Sequence, residues 1–222
     1  MSDVHKYNQD GQLVEAWEDG YFSVTTILDV RNKPKLWAWK MRVGYDEAQQ
    51  RMLDSQEKGT AIHSIAENYF KGVANEKTDY EYALSAIKDW DSKFEPETIA
   101  TEKYLVSNKY KYAGTADLVC KIKDELWIID FKTGAKSIDH GLQLAAYRQA
   151  YKEMTGETAK TAGLYLTNKT KRGWGWKEYK EPIGVFLAAK KLFDWQTKKE
   201  PFKKPYEVSP YTGGTLHVEG LE

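Results

Sequence analysis

The chain has 222 residues, with 33 Lys+Arg balanced by 33 Asp+Glu for a formal net charge of zero. That length fits one domain, and the balance gives no whole-chain argument for a polyanionic partner. The composition, 41% hydrophobic and 30% charged, is that of a soluble globular protein. Its single cysteine, Cys120, excludes an internal disulfide framework and any cysteine-only zinc or iron–sulfur site.

No apolar run approaches the ~20 residues that cross a bilayer, so no membrane partner is expected. The opening MSDVHK lacks the charged start and apolar centre of a signal peptide. A cytoplasmic, reducing location is the expectation. Residues 151–222 hold 13 Lys+Arg against 9 Asp+Glu, and residues 1–150 the complementary 20 against 24. The aromatic share is high, with eight Trp and fifteen Tyr that can fill a core or stack on bases or sugars.

In chain order, Asp10-Gly11 and Asp19-Gly20 are turn signals, and Leu13-Val14 with Tyr21-Phe22 predict a short hairpin. Ser23 is placed to cap a helix. Pro34 fits the start of another carrying Leu36, Trp37, Trp39 and Met41, which are expected to pack into a helical surround. A helical pattern covers 44–55, and Gly59-Thr60 opens the next helix, with Ile62, Ile65, Ala66 and Tyr69 at helical spacing. A helix near 79–93 carries Leu84, Ile87 and Trp90. Strands are predicted over 98–106, 110–122 and 126–132, then a helix over 139–154 closed by Gly156. Strands over 161–167 and 174–179 and a helix over 183–197 complete the pattern. This order implies an α/β fold, a mixed central sheet flanked by helices.

The second and third strands carry unusual charges for their place. Asp117 and Asp130 both sit beside apolar residues, although strands deplete Asp and a carboxylate near a core must be paired or metal-bound. If the turn is centred between Lys123 and Asp124, Asp117 lies opposite Asp130, with Cβ atoms roughly 4.5–5.5 Å apart. Lys132 shares the face of Asp130 because side chains alternate. Two such carboxylates either share a proton or hold a cation, for which Mg²⁺ or Mn²⁺ suits oxygen ligands. An edge salt bridge without function is the plain alternative. Glu102 on the preceding strand can point the same way. His63 on the apolar-patterned helix can reach in from the side, with Glu67 one turn further on. Gln143 and Tyr147 project from one face of the following helix.

With these residues in place, the chain resembles the PD-(D/E)XK nuclease superfamily, in its RecB-like exonuclease branch of phage and mitochondrial genome maintenance exonucleases. The motifs are Gly59-Thr-Ala-Ile-His63, a strand glutamate at Glu102, Gly114-Thr-Ala-Asp117, Asp130-Phe-Lys132 and Gln143-Leu-Ala-Ala-Tyr147. The resemblance implies a restriction-endonuclease-like core with an N-terminal helical elaboration. It implies that His63, Asp117, Asp130 and the backbone carbonyl of Phe131 bind Mg²⁺ or Mn²⁺. Lys132, with Asp117, Asp130 and Glu102, would be catalytic, Lys132 assisting the attacking water, and Gln143 and Tyr147 would position the DNA backbone. The proline of the superfamily name is absent, Ala116 preceding Asp117, and the iron–sulfur cluster of some relatives cannot form.

The expected function is a metal-dependent DNA exonuclease acting on ends with single-stranded character. A structure-specific endonuclease and a non-catalytic nucleic-acid-binding module of the same fold are the alternatives. A glycosidase built on Glu102 and Asp117 leaves His63 and Lys132 unexplained. The basic stretch 168–176, with Trp174 and Trp176, either tracks single-stranded DNA or is a hairpin with a packed tryptophan. The chain is expected to be a single nuclease domain over 1–222: a hairpin and helical surround over 1–57, a catalytic core over 58–197 and an irregular tail over 198–222.

Overall fold

A computed structural model of the protein describes residues 4–16, 18–74 and 77–202. Five strands form one mixed sheet: β4 (Glu97–Ser107), β5 (Tyr112–Ile122), β6 (Glu125–Lys132), β7 (Lys160–Leu166) and β8 (Trp174–Tyr179), in that spatial order. Their bounds match the predicted strands to within about two residues. Only β6 and β7 run parallel. Parallel neighbours need a long crossover, and α5 (Ile138–Thr155) supplies it.

The β5–β6 hairpin closes on Lys123 and Asp124, both with positive φ, 50° and 62°. This is the mirror-image two-residue turn whose twist matches that of the strands. It sets a register running from Ile122↔Glu125 to Leu118↔Ile129, the one predicted for a turn centred between those residues.

Helices cover both faces. One core joins Val24, Ile27 and Leu28 of α1 (Val24–Leu28) and Phe186 and Phe193 of α6 (Ile183–Lys199) to Leu144, Ala150 and Tyr151 of α5. The other joins Ile62, Ile65 and Ala66 of α3 (Tyr45–Phe70) and Ala86, Ile87 and Trp90 of α4 (Glu81–Phe94) to the sheet. Alternation sorts the strand residues between the two. Cys120, Ile122, Trp127, Ile129 and Phe131 face α3 and α4, while Val119 and Ile128 face α5. Helix ends follow local chemistry. The Ser23 hydroxyl accepts from Thr26 N at 3.1 Å, Pro34 opens α2 (Pro34–Val43), and Gly156 closes α5 at φ 80°.

Four expectations change. Leu13-Val14 and Tyr21-Phe22 do not pair with each other: they are β2 (Leu13–Val14) and β3 (Tyr21–Phe22), on either side of β1 (Lys6–Tyr7). The turn at Asp10-Gly11 joins β1 to β2, with Asn8 N donating to the Gln12 carbonyl at 2.9 Å. Gly59 does not open a helix, since α3 runs unbroken over 26 residues. An isolated helical glycine costs only ~1 kcal/mol, and Glu57, Lys58 and Ala61 around it are good helix formers. The helix near 183 extends to Lys199, so the tail expected over 198–222 begins as helix, and from residue 203 it lies outside the described residues. Finally, α2 buries none of its residues, and Trp37 is 61% exposed. In the segment 36–41, Leu36 and Trp39 are half-buried, while Trp37 and Met41 stand out as an exposed edge rather than part of a packed surround.

α5 is anchored in the first core at two close approaches. Tyr147 crosses β5 over Gly114, where an added Cβ would meet the ring at 2.6 Å. Tyr112 Oη donates to the Ala146 carbonyl at 2.9 Å. At the helix start, Ser137 Oγ accepts from Asp139 N, and His140 Nδ1 accepts from Ser137 N at 3.4 Å and lies 2.8 Å from Tyr165 Oη. Burial, with the Lys132 and Lys177 ammoniums nearby, holds His140 down at about 4.

Overpacking of this kind costs ~1–3 kcal/mol. Gly114→Ala is therefore expected to lower Tm by several degrees, and an unchanged Tm in differential scanning calorimetry would contradict the close approach. His140 has a folded pKa below its unfolded value of about 6.5, so the unfolded chain binds the proton first. Its stabilising contribution is complete above pH 6.5 and is lost as pH falls toward about 4. Urea unfolding of His140→Gln across pH 4–7 should show a shallower acid slope than the parent.

Candidate active site

The hairpin register carried one step past Leu118↔Ile129 sets Asp117 across from Asp130. There the main-chain ladder gives way to a side chain, for the Phe131 amide donates to Asp117 Oδ2 at 2.6 Å. Asp117 and Asp130 are 7% and 2% exposed. They are buried carboxylates, and each has charged or hydrogen-bonding partners, as the cost of burying charge requires.

β4 delivers a third carboxylate. Thr101↔Leu118 and Lys103↔Ala116 keep one register, so Glu102 stands across from Asp117. Its backbone turns to φ 45° in mid-strand. A non-glycine residue in this region costs of order 1–3 kcal/mol and persists where the surroundings enforce it. α3 brings His63 from the other side. Its Nδ1 lies 3.3 Å from Asp117 Oδ1, and its ring stands edge-on to Phe131 with centroids 6.2 Å apart. One ligand atom from each of His63, Glu102 and Asp117 can be chosen so that all lie within 4.8 Å of one another.

Asp130 connects this group to the next. The Lys132 ammonium lies against Asp130 Oδ2 and donates to Gln143 Oε1 at 3.0 Å. Gln143 Nε2 donates to Tyr147 Oη at 2.9 Å and to Asp130 Oδ1 at 3.3 Å. A lysine ammonium can only donate, so the Gln143 amide has one orientation here. Gln143 and Tyr147 are 8% and 4% exposed. They face Asp130 and Lys132 from behind rather than opening to solvent. Phe131 stacks on Phe70 with rings 5.9 Å apart, which fixes the backbone between Asp130 and Lys132.

The charges are crowded, and the shifts record it. Burial opposes a charged His63, but its hydrogen bond with Asp117 and the charges of Asp117 and Asp130 lift it to about 9. Partial desolvation at the pocket mouth, then repulsion from Asp117 and Glu67, raise Glu102 to about 7. Complete burial pushes Asp130 up against the pull of Lys132. Lys132 itself is held charged, because Asp130 and Asp117 outweigh its burial. Carboxylates that drift toward protonation and an imidazole that drifts toward charge mark an excess of negative potential, the condition a divalent cation relieves. The donor set, carboxylate oxygens with an imidazole nitrogen, fits such an ion.

The sequence-predicted residues thus converge, His63, Glu102 and Asp117 as one cluster with Asp130, Lys132 and Gln143 adjoining and Tyr147 behind. Glu67 pairs with Lys71 at 2.5 Å one turn beyond His63. What sequence reasoning missed is the backbone reversal at Glu102 and the reason for Gly114, neither of which leaves a compositional signal beyond the glycine itself. The tryptophans of 168–176 do not form a stacking platform. Trp174 is buried and donates to Asp89 Oδ2 at 2.7 Å, and Trp176 packs against Trp90, Phe94 and Trp127. Among the described residues no helix is long and apolar enough to cross a membrane.

A family match agrees with this geometry. Residues 81–205, more than half the chain, match the PD-(D/E)XK nuclease superfamily. The matched span includes every site residue above except His63, Glu67 and their helix. No curated protein sequence matches the chain significantly. Among solved structures, SSO0001 is similar at 18% identity and TM-score 0.43, over 83% of this chain and 79% of that one. A proposed exonuclease from Eubacterium rectale is similar at 12% identity and TM-score 0.42, over 63% and 64%. An alkaline exonuclease from Laribacter hongkongensis is similar at 9% identity and TM-score 0.40, over 80% and 92%. The mixed sheet flanked by helices, the paired strand aspartates followed by lysine and the match over 81–205 have one common reading: the chain belongs to the PD-(D/E)XK nuclease superfamily, with a restriction-endonuclease-like fold and nucleic acid as its substrate.

Proposed function

We propose that the protein is a metal-dependent deoxyribonuclease, an exonuclease that acts on DNA ends with single-stranded character. The observation that carries the catalytic part is the cluster of His63, Glu102 and Asp117 ligand atoms within 4.8 Å, with the Asp130–Lys132 pair beside it. The exonuclease part rests on the resemblance of the His63, Asp117, Asp130-Phe-Lys132 and Gln143-x-x-x-Tyr147 motifs to the RecB-like branch.

His63, Asp117, Asp130 and the Phe131 carbonyl would hold Mg²⁺ or Mn²⁺, with Glu102 as a further carboxylate at the mouth. A bound divalent ion supplies Lewis acidity and a more acidic water. The chain's own part is positional and electrostatic. The Lys132 ammonium, kept charged by Asp130 and Asp117, donates to the attacking water or to a phosphate oxygen as negative charge develops there. Gln143, held by Tyr147 Oη, fixes both Lys132 and Asp130. It acts on the reaction through those two residues, and Tyr147 acts through Gln143. Asp117 holds the Phe131 amide, which sets the direction of the adjoining backbone.

Three measurements test this reading. End-labelled single-stranded DNA should be shortened from its ends in Mg²⁺ or Mn²⁺ and left intact in EDTA. Lys132→Ala should lower the rate ~10²–10⁴-fold, with its circular dichroism unchanged. Digestion that persists in EDTA or in Lys132→Ala would overturn the assignment, and cutting confined to internal positions of circular DNA would replace exonuclease by endonuclease. Glu102→Gly should separate stability from ligand binding. The φ of 45° suits glycine, and the change removes a carboxylate repelled by its neighbours. In EDTA its Tm should rise by an amount corresponding to about 1 kcal/mol, while the Tm increment on adding Mn²⁺, which for a saturating ligand is worth ~2–3 kcal/mol, should shrink.

A further inference from the structure

α2 and the first half of α3 form an arm that is open to water. Trp37 is 61% exposed, Met41 83%, Tyr45 79% and Leu53 50%. Trp37 and Met41, exposed one turn apart on α2, are the kind of apolar pairing that marks an interaction surface. Their setting indicates which kind. Residues 31–43 contain Arg31, Lys33, Lys35, Lys40 and Arg42 and no acidic residue. Arg31 is paired with Asp139 and Lys33 with Asp29. No salt bridge joins Lys35, Lys40 or Arg42 to an acid among the described residues. The opposite arrangement holds in the first half of α3, where Asp46, Glu47, Asp54 and Glu57 outnumber Arg51 and Lys58.

Trp37 and Met41 are one turn apart, and the Lys40 ammonium stands over the Trp37 ring, 5.6 Å from its centre. Lys35 and Arg42, two turns apart, form a second exposed stripe about a third of the way round the helix. An exposed aromatic face bordered by ammonium and guanidinium groups is the pairing that stacks a base and neutralises its phosphates. α3 then runs from this arm to the pocket, the 18 residue steps from Tyr45 to His63 spanning about 27 Å. That distance is roughly eight stacked nucleotides at 3.4 Å each.

We propose that α2 is a second nucleic-acid contact, in which a base stacks on Trp37 while Lys35, Lys40 and Arg42 meet the flanking phosphates of a single strand that also reaches the pocket. This rests on the nuclease reading for the strand's destination, but the contact itself needs no metal. A second copy laying its acidic α3 on α2 is the competing occupant.

The test uses the full chain in EDTA and fluorescein-labelled oligothymidylates of 5 and 20 nucleotides, with anisotropy as readout. Trp37→Ala should weaken binding of the 20-mer and of the 5-mer alike, about five- to hundredfold, and be rescued largely by Trp37→Tyr. Lys35→Ala with Arg42→Ala should reduce the slope of log affinity against log salt by about 1.4. Unchanged 20-mer affinity in Trp37→Ala, with native circular dichroism, would overturn the proposal. So would a parent dimer that Trp37→Ala converts to monomer by light scattering without weakening DNA binding. A parent chain that binds the 20-mer through Trp37 but never cuts DNA in Mg²⁺ or Mn²⁺ would instead refute the nuclease reading and leave the contact standing.

Discussion

The two-residue turn at Lys123 and Asp124 governs the site. Because side chains on a strand alternate with period two, a hairpin one residue longer or shorter would send Asp117 and Asp130 to opposite faces. Two consecutive positive-φ residues close the turn without splaying the strands, and the register that follows sets the two aspartates across from one another. Everything else in the pocket is arranged about that pair. Lys132 shares the parity of Asp130, Glu102 stands across from Asp117 on the next strand, and His63 arrives from the helical layer on the other side.

Holding so many charges in a buried place has structural consequences. Asp117 takes the Phe131 amide, Asp130 takes Lys132 and Gln143, and Gln143 takes Tyr147. The chain of contacts ends in the first hydrophobic core, where Tyr147 lies over Gly114. A glycine that looks like part of a short motif beside Asp117 is thereby explained by a ring on a different element. The negative potential that remains is visible in the raised Glu102 and His63. It is the physical link between a fold built on parity and a reaction that needs a cation.

The exposed arm shows how the same sequence signal can mean two things. Leu36, Trp37, Trp39 and Met41 have the composition of a buried helix, yet α2 fully buries none of them and leaves Trp37 and Met41 in water. Composition reports that a residue can be buried, not that a partner surface exists for it. The aromatics of 168–176 went the other way. They sit beside basic residues, but Trp90, Phe94 and Trp127 already surround Trp176, and Asp89 holds Trp174.

The sequence alone determined the order of strands and helices, the parity of the hairpin and the residues gathered at its end, because these depend on local turn chemistry and on periods of 2 and 3.6 that neighbouring residues carry among themselves. Only the tertiary structure decided that Gln143 and Tyr147 lie behind the charges, that Glu102 reverses its backbone, that α3 passes unbroken through Gly59 and that β1 separates β2 from β3. Each of those outcomes is a contact between segments far apart in the chain or a backbone angle imposed by such contacts, and no local pattern encodes which distant surface will be there to meet it.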